Sequence, residues 1–293
     1  MVETIQGKLE TLATGFAFTE CPRWRDNTLY FSDILGRDVY RSSLTGQVEK
    51  LASLPDDEPS GLGFLPNGDL LIVAMYTNKL YRLGKSGKLE LYADVSAVAP
   101  KGINDMVVDK DGRAYVVQFG FNFPAGEDMC ASPLVGVDPD GRVYAATTHK
   151  LMVANGITIT EDGRTLICAE SGSRSLSAFD RDPVTGKLSN HRYVIEKLRK
   201  GEIPDGICLD SEGGVWSACC FGPGVVRYEE GKGATHMVPL PEGRFAYACM
   251  FGGPDRKTLF ICTADQYNPP ALRTSRTSSI DFVKTEFTGA GLP

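Results

Sequence analysis

No apolar run in the 293-residue sequence approaches a membrane span; stretches such as Leu70 to Met75 stop far short of the ~20 residues a transmembrane helix requires. Basic charge is not in excess. Lys and Arg total 31 against 37 Asp and Glu, a formal net charge of -6, and no basic run exceeds a few residues. Neither nucleic acid nor an anionic membrane is therefore an expected partner. The opening residues, Met1-Val2-Glu3-Thr4-Ile5-Gln6-Gly7-Lys8, lack the basic and apolar segments of a secretory signal. A cytoplasmic protein is expected. Histidine is scarce: His149, His191 and His236 stand in no ligand spacing with the 8 cysteines, which themselves form no Cys-x-x-Cys pair. That argues against structural zinc and against a disulfide framework. Cys168, Cys208, Cys219, Cys220 and Cys262 all sit inside apolar runs and read as small buried hydrophobes. Also missing are a Gly-x-Ser-x-Gly elbow, a His-Glu-x-x-His pair and a Gly-x-x-x-x-Gly-Lys loop, so neither a serine hydrolase nor a nucleotide enzyme is expected.

Helical periodicity is nearly absent, and a different pattern repeats in its place: a short apolar stretch, a Gly/Asp/Asn turn, and a second apolar stretch. It occurs at Cys21 to Asp33, Gly61 to Val73, Asp105 to Val117, Gly156 to Ala169, Gly206 to Ala218 and Cys249 to Thr263. The first apolar residues after each turn are Leu29, Leu70, Ala114, Leu166, Val215 and Leu259, spaced by 41, 44, 52, 49 and 44 residues. Periods in the forties belong to propeller blades. Second turns at Gly46, Gly87, Gly141, Gly186 and Gly231 supply the other hairpin of each blade. The expectation is an all-β, six-bladed β-propeller of four-stranded blades occupying residues 1–293 as one domain, with helices confined to short turns. Strands from both ends, Lys8 to Thr14 and Ser279 to Phe287, should complete the last blade. Blade three carries about ten extra residues at Phe121 to Cys130, expected to leave the outer part of the blade as a loop roofing one face.

The innermost strand of every propeller blade runs along the central channel, so residues at one phase of the repeat form a ring at its mouth. Nine to eleven residues before each anchor stand Glu20, Ser60, Asn104, Asn155, Asp205 and, in the sixth blade, Ala248 or Cys249. Two carboxylates and two amide oxygens make a hard donor set whose charge balances one divalent cation, best calcium, with magnesium, manganese or zinc as alternatives. The same residues also suit turns that begin a strand, since Asn155-Gly156 and Asp205-Gly206 are good turn dipeptides.

Four motifs in this register carry a resemblance: Thr19-Glu20-Cys21-Pro22-Arg23-Trp24, Ile103-Asn104-Asp105, Ala154-Asn155-Gly156-Ile157 and Pro204-Asp205-Gly206 continuing to Asp210. They resemble the metal-site motifs of the gluconolactonase, senescence-marker-protein and luciferin-regenerating-enzyme family, over nearly the whole chain. The resemblance implies a six-bladed propeller with one divalent metal in the channel mouth and hydrolysis of a lactone or ester. Carried over by position, Glu20, Asn155 and Asp205 are metal ligands, Asn104 is a ligand or holds water or substrate, and Asp205 is also the base. Two departures bear on the substrate. Sugar-lactone members carry an Arg two residues before the blade-three Asn, where this chain has Gly102 after Lys101, and their Asn-Asp-Gly reads Asn104-Asp105-Met106 here. With Phe119, Phe121 and Phe123 in the inserted loop, these changes point to an apolar pocket roof. Lys101 and Phe121 are candidate substrate contacts. His149, six residues before Asn155, could assist from the same face or be a loop histidine. Two rival functions remain at this level: a phosphotriester hydrolase on the same metal, and a non-catalytic binding propeller in which the metal is a structural plug.

Overall fold

A computed structural model describes residues 2–292. Six antiparallel sheets follow one another along the chain. Each of blades one to five is a meander, and its innermost strand comes first: Thr19–Arg25, Pro59–Phe64, Ile103–Val108, Ala154–Ile159 and Pro204–Asp210. Blade six begins with Phe245–Gly252 and takes its outermost strand from the N-terminus, Glu10–Phe16 pairing antiparallel with Ser278–Lys284. The ring therefore closes with strands from both ends, as expected. Two further short strands reinforce blade five: Glu3–Thr4 runs parallel to its outer strand, and Gly289–Ala290 pairs with its inner strand.

Burial falls from the axis outward, and composition follows it. Ile103–Val108 and Pro204–Asp210 are buried at every position, so they tolerate no strict alternation. Outer strands such as Val48–Ser53 and Leu89–Asp94 are largely open to solvent and carry Lys and Glu. The core lies between facing blades. Trp216, Phe251 and Phe287 fill the gap between blades five and six; Tyr115, Ile157 and Leu166 fill that between three and four. The turn glycines Gly46, Gly87, Gly141, Gly186 and Gly231 all adopt positive φ, between 71° and 86°, in the third-to-fourth-strand hairpins, which is why glycine recurs there. All eight cysteines are unpaired, and seven of them are buried.

The structure differs from expectation in two places. The extra residues of blade three connect its second strand, Ala114–Gln118, to its third, Val135–Val137, rather than lying at the outer edge of the blade. Blade six holds a second insertion at the equivalent place, containing a seven-residue helix, Pro269–Ser275, that starts on proline and buries Leu272. No seventh anchor follows blade six, so the repeat spacing could not expose it.

Candidate metal centre

All six inner strands break their ladder at the same place. The pairing register shifts between Glu20 and Arg23, Pro59 and Leu62, Ile103 and Met106, Ala154 and Ile157, Pro204 and Ile207, and Ala246 and Ala248. Such a bulge turns a side chain out of the ladder, here toward the channel mouth. Asn104, Asn155 and Asp205 each occupy the bulge as the second residue of their strand, Glu20 is the last paired residue before the bulge of blade one, and all four line one cavity of 680 Å³. In blade six the bulged residue is Tyr247, which lines the same cavity. The expectation of Ala248 or Cys249 was displaced by one or two residues, because nothing in that strand marks the bulge with an Asn or Asp.

In blades four and five the bulge requires bare backbone. A Cβ on Gly156 would sit 2.5 Å from the Asp205 carbonyl oxygen and the Ile207 nitrogen, and one on Gly206 2.5 Å from the Ala248 methyl. Neither glycine has positive φ. Asn-Gly and Asp-Gly are thus explained by close approach of neighbouring blades at the axis, and not by a turn.

Hydrogen bonds fix the amides around the ring. Ser60 Oγ donates to Asn104 Oδ1 at 2.7 Å, and Asn104 Nδ2 donates to Asn155 Oδ1 at 3.0 Å. The Glu20 Oε2 accepts from the Cys21 N–H at 2.8 Å. Beneath the ring Arg23, almost fully buried, pairs with Asp105 and donates to the Leu62, Pro22 and Met106 carbonyls, tying blades one, two and three together. Burial pushes the Glu20 carboxyl well above its ordinary range, and the neighbouring Asp205 raises it further. Asp205 is pushed up to about 8 by burial and then by Asp105, against the opposing pull of the Cys220 thiol and the Asn155 amide.

These features test whether a divalent cation fits. Asp205 Oδ1 is buried without a hydrogen-bond partner, an arrangement that ordinarily costs stability. Two buried carboxylates that each raise their proton affinity are the electrostatic complement of a doubly charged ion. The donors are all oxygen, and no group of three or more His, Cys, Asp or Glu is assembled among the described residues; a site here must rest on two carboxylates and amide oxygens, which suits a hard cation and not zinc. The residues fit.

Residues 18–265 match the SMP-30/Gluconolactonase/LRE-like region. The chain belongs to this family. It is 31% identical over 261 residues to regucalcin of Pongo abelii, an overlap of 86% of this chain and 85% of the relative. In structure it is similar to a calcium-binding protein, regucalcin, from Agrobacterium tumefaciens (TM-score 0.78, 22% identity, 100% and 98% of the two chains). It is likewise similar to a gluconolactonase from Xanthomonas campestris (TM-score 0.75, 23% identity, 98% and 90%).

The remaining candidates of this family member are placed as follows. Phe121 is buried in the cavity wall. Lys101 lines an adjoining cavity of 520 Å³ and pairs with Glu127 at 2.8 Å, so it pins the inserted loop. His149 is not among the residues lining the main cavity; its ring stacks on His191, centroids 3.6 Å apart, against the outer strand of blade four. Burial, then His149, lowers the His191 pKa. Sequence reasoning did not find Tyr247, Tyr267, Phe221 or the Arg23–Asp105 pair. The last leaves no local pattern, since its partners are 82 residues apart.

Proposed function

We propose that the protein is a divalent-metal-dependent hydrolase that opens a lactone or related ester in the 680 Å³ cavity. Glu20, Asn155 and Asp205 would hold the cation, most suitably calcium, and Asn104 would complete the site or orient water and substrate. The bound ion supplies polarisation of the ester carbonyl and compensation for the negative charge that develops on its oxygen. Asp205 accepts the proton of the attacking water at Oδ1 and returns it to the departing alkoxide oxygen. The amides of Asn104 and Asn155, fixed against each other at 3.0 Å, hold their oxygens in place without reorganisation. Aromatic side chains above the ring limit the access of bulk water. Family membership supports a hydrolase of this kind. The observation that carries the reading is the buried, partnerless Asp205 Oδ1 in a ring of oxygen donors that four separate blades supply.

The test is a turnover panel of lactones, aryl esters and phosphotriesters, run with chelator and then with calcium, magnesium, manganese and zinc restored singly. Chelation should abolish lactone opening while the circular dichroism spectrum persists, and calcium should restore it. Lactone turnover that survives exhaustive chelation would refute the proposal. Loss of fold together with activity would favour a metal that only plugs the channel.

A further inference from the structure

Above the oxygen ring the cavity wall is aromatic. Phe119, Phe121 and Phe123 form one cluster from the blade-three insertion, with ring centroids 5.9 to 6.3 Å apart. Phe18 packs on Tyr247 at 4.7 Å and on Tyr267 at 5.0 Å, and Tyr267 meets Phe123 at 6.5 Å, which joins the two walls. The rim is apolar too. Phe123 and Phe221 are each 47% exposed and Met129 is 62% exposed, although all three line the cavity. Large side chains held half in water beside a cavity mark a surface with an apolar occupant.

Most polar groups of the wall are already engaged, the exception being Arg174, whose Nε has no hydrogen-bond partner. Glu58 pairs with Arg273, Glu127 with Lys101, and Ser171 donates to the Pro204 carbonyl at 2.6 Å. A polyhydroxylated lactone would bury hydroxyls that find few partners here, at a cost of roughly tenfold in affinity for each.

We infer that the substrate is a lactone whose ring carries an extended apolar substituent, with the ester against the oxygen ring and the substituent running along the joined Phe123 and Tyr267 walls toward Phe221 and Met129. This rests on the lactonase reading and assigns Phe123, Met129 and Phe221 as specificity-determining residues. The calcium-loaded protein is assayed on one ring with growing chains: δ-valerolactone, δ-hexalactone, δ-octalactone and δ-decalactone, beside glucono-δ-lactone. kcat/KM should rise about threefold to fourfold per methylene until the wall is filled, with glucono-δ-lactone slowest. In Phe123→Ser and Phe221→Ser, whose side chains are half exposed, the ratio of δ-decalactone to δ-valerolactone should fall at least tenfold. A flat series, or glucono-δ-lactone as the fastest, overturns the inference and leaves the lactonase reading standing. Without turnover on any lactone that reading fails, and binding decides the inference. The neutral fluorophore N-phenyl-1-naphthylamine should saturate at one site, be displaced by 1-decanol, and bind more weakly to the Phe123→Ser/Phe221→Ser double variant. Absence of such a site overturns the inference. So would a concentration-dependent dimer abolished by Phe221→Ser, which would give the rim to a second copy of the chain.

Discussion

At Asp205 one carboxylate is asked both to hold a cation and to move a proton, and substitutions separate the two roles. Glu20→Gln keeps an oxygen donor and removes a charge. Metal affinity should fall, and excess calcium should restore most of the turnover. Asp205→Asn weakens the site in the same way but also removes the base, so at saturating calcium the rate should stay low by ~10²–10⁴-fold. Equal recovery of both variants in a calcium titration of kcat would make Asp205 a ligand alone. Proton affinity supplies an independent check. In the metal-free protein the Asp205 pKa is raised to about 8, whereas in the unfolded chain a carboxylate titrates near ~4. The stability this group contributes is therefore complete below about pH 4 and is lost as pH rises through about 8. The cation competes with that proton, so the rise in Tm on adding calcium should widen from pH 5 to pH 8. A rise independent of pH across that window would contradict the assignment.

The elements that matter most for the site are the six bulged inner strands and the two insertions above them. Gly156 and Gly206 were legible as members of a repeat, but their physical reason was not. A turn and a close approach select the same residue, and only the 2.5 Å separation from the neighbouring backbone decides between them. Gly156→Ala should accordingly destabilise the fold by about 1–3 kcal/mol through overpacking, measured by urea unfolding, and should loosen calcium binding by displacing the Asp205 backbone. A neutral result in both assays would return the dipeptide to its turn interpretation. Tyr247 escaped detection because blade six lacks the Asn or Asp that labels the bulge in blades three to five. The blade-three insertion was legible from spacing, and its place on the ring face follows from the pairing of Ile103 with Gln118: the second strand ends where the inner strand begins. Phe119 and Phe121 are buried, but Asn122 to Met129 are mostly exposed. Replacing Asn122 to Met129 with a short glycine-serine linker should leave Tm within a few degrees while redistributing kcat/KM across the lactone panel. Unfolding of this variant would show the segment to be part of the core.

Across the whole molecule the propeller was readable because each blade needs its turn glycines at nearly fixed offsets, a constraint that local sequence must satisfy. Contacts between blades were not, since ion pairs such as Arg23 with Asp105 and Arg181 with Asp109 join positions that carry no shared signature. The closing strand Glu10–Phe16 holds the ring through a ladder to residues 278–284 and a hydrogen bond from Thr11 Oγ1 to Asp281 Oδ1 at 2.6 Å. Removing residues 1–8 costs the two-residue strand on blade five and the packing of Ile5 on the core beside it, and should lower Tm by a few degrees. Removing residues 1–16 exposes the edge of Ser278–Lys284 and should yield a protein that aggregates or unfolds well below the intact one. Comparable melting of the two truncations would show that the ring needs no closing strand. The same ladder sets an order of events during synthesis. Thr11 leaves the ribosome 270 residues ahead of its partner Asp281, which at ~5–20 residues per second is a wait on the order of tens of seconds. For that interval the strand Glu10–Phe16 has no sheet to join, and it waits through the synthesis of five blades for the place that the last blade prepares for it.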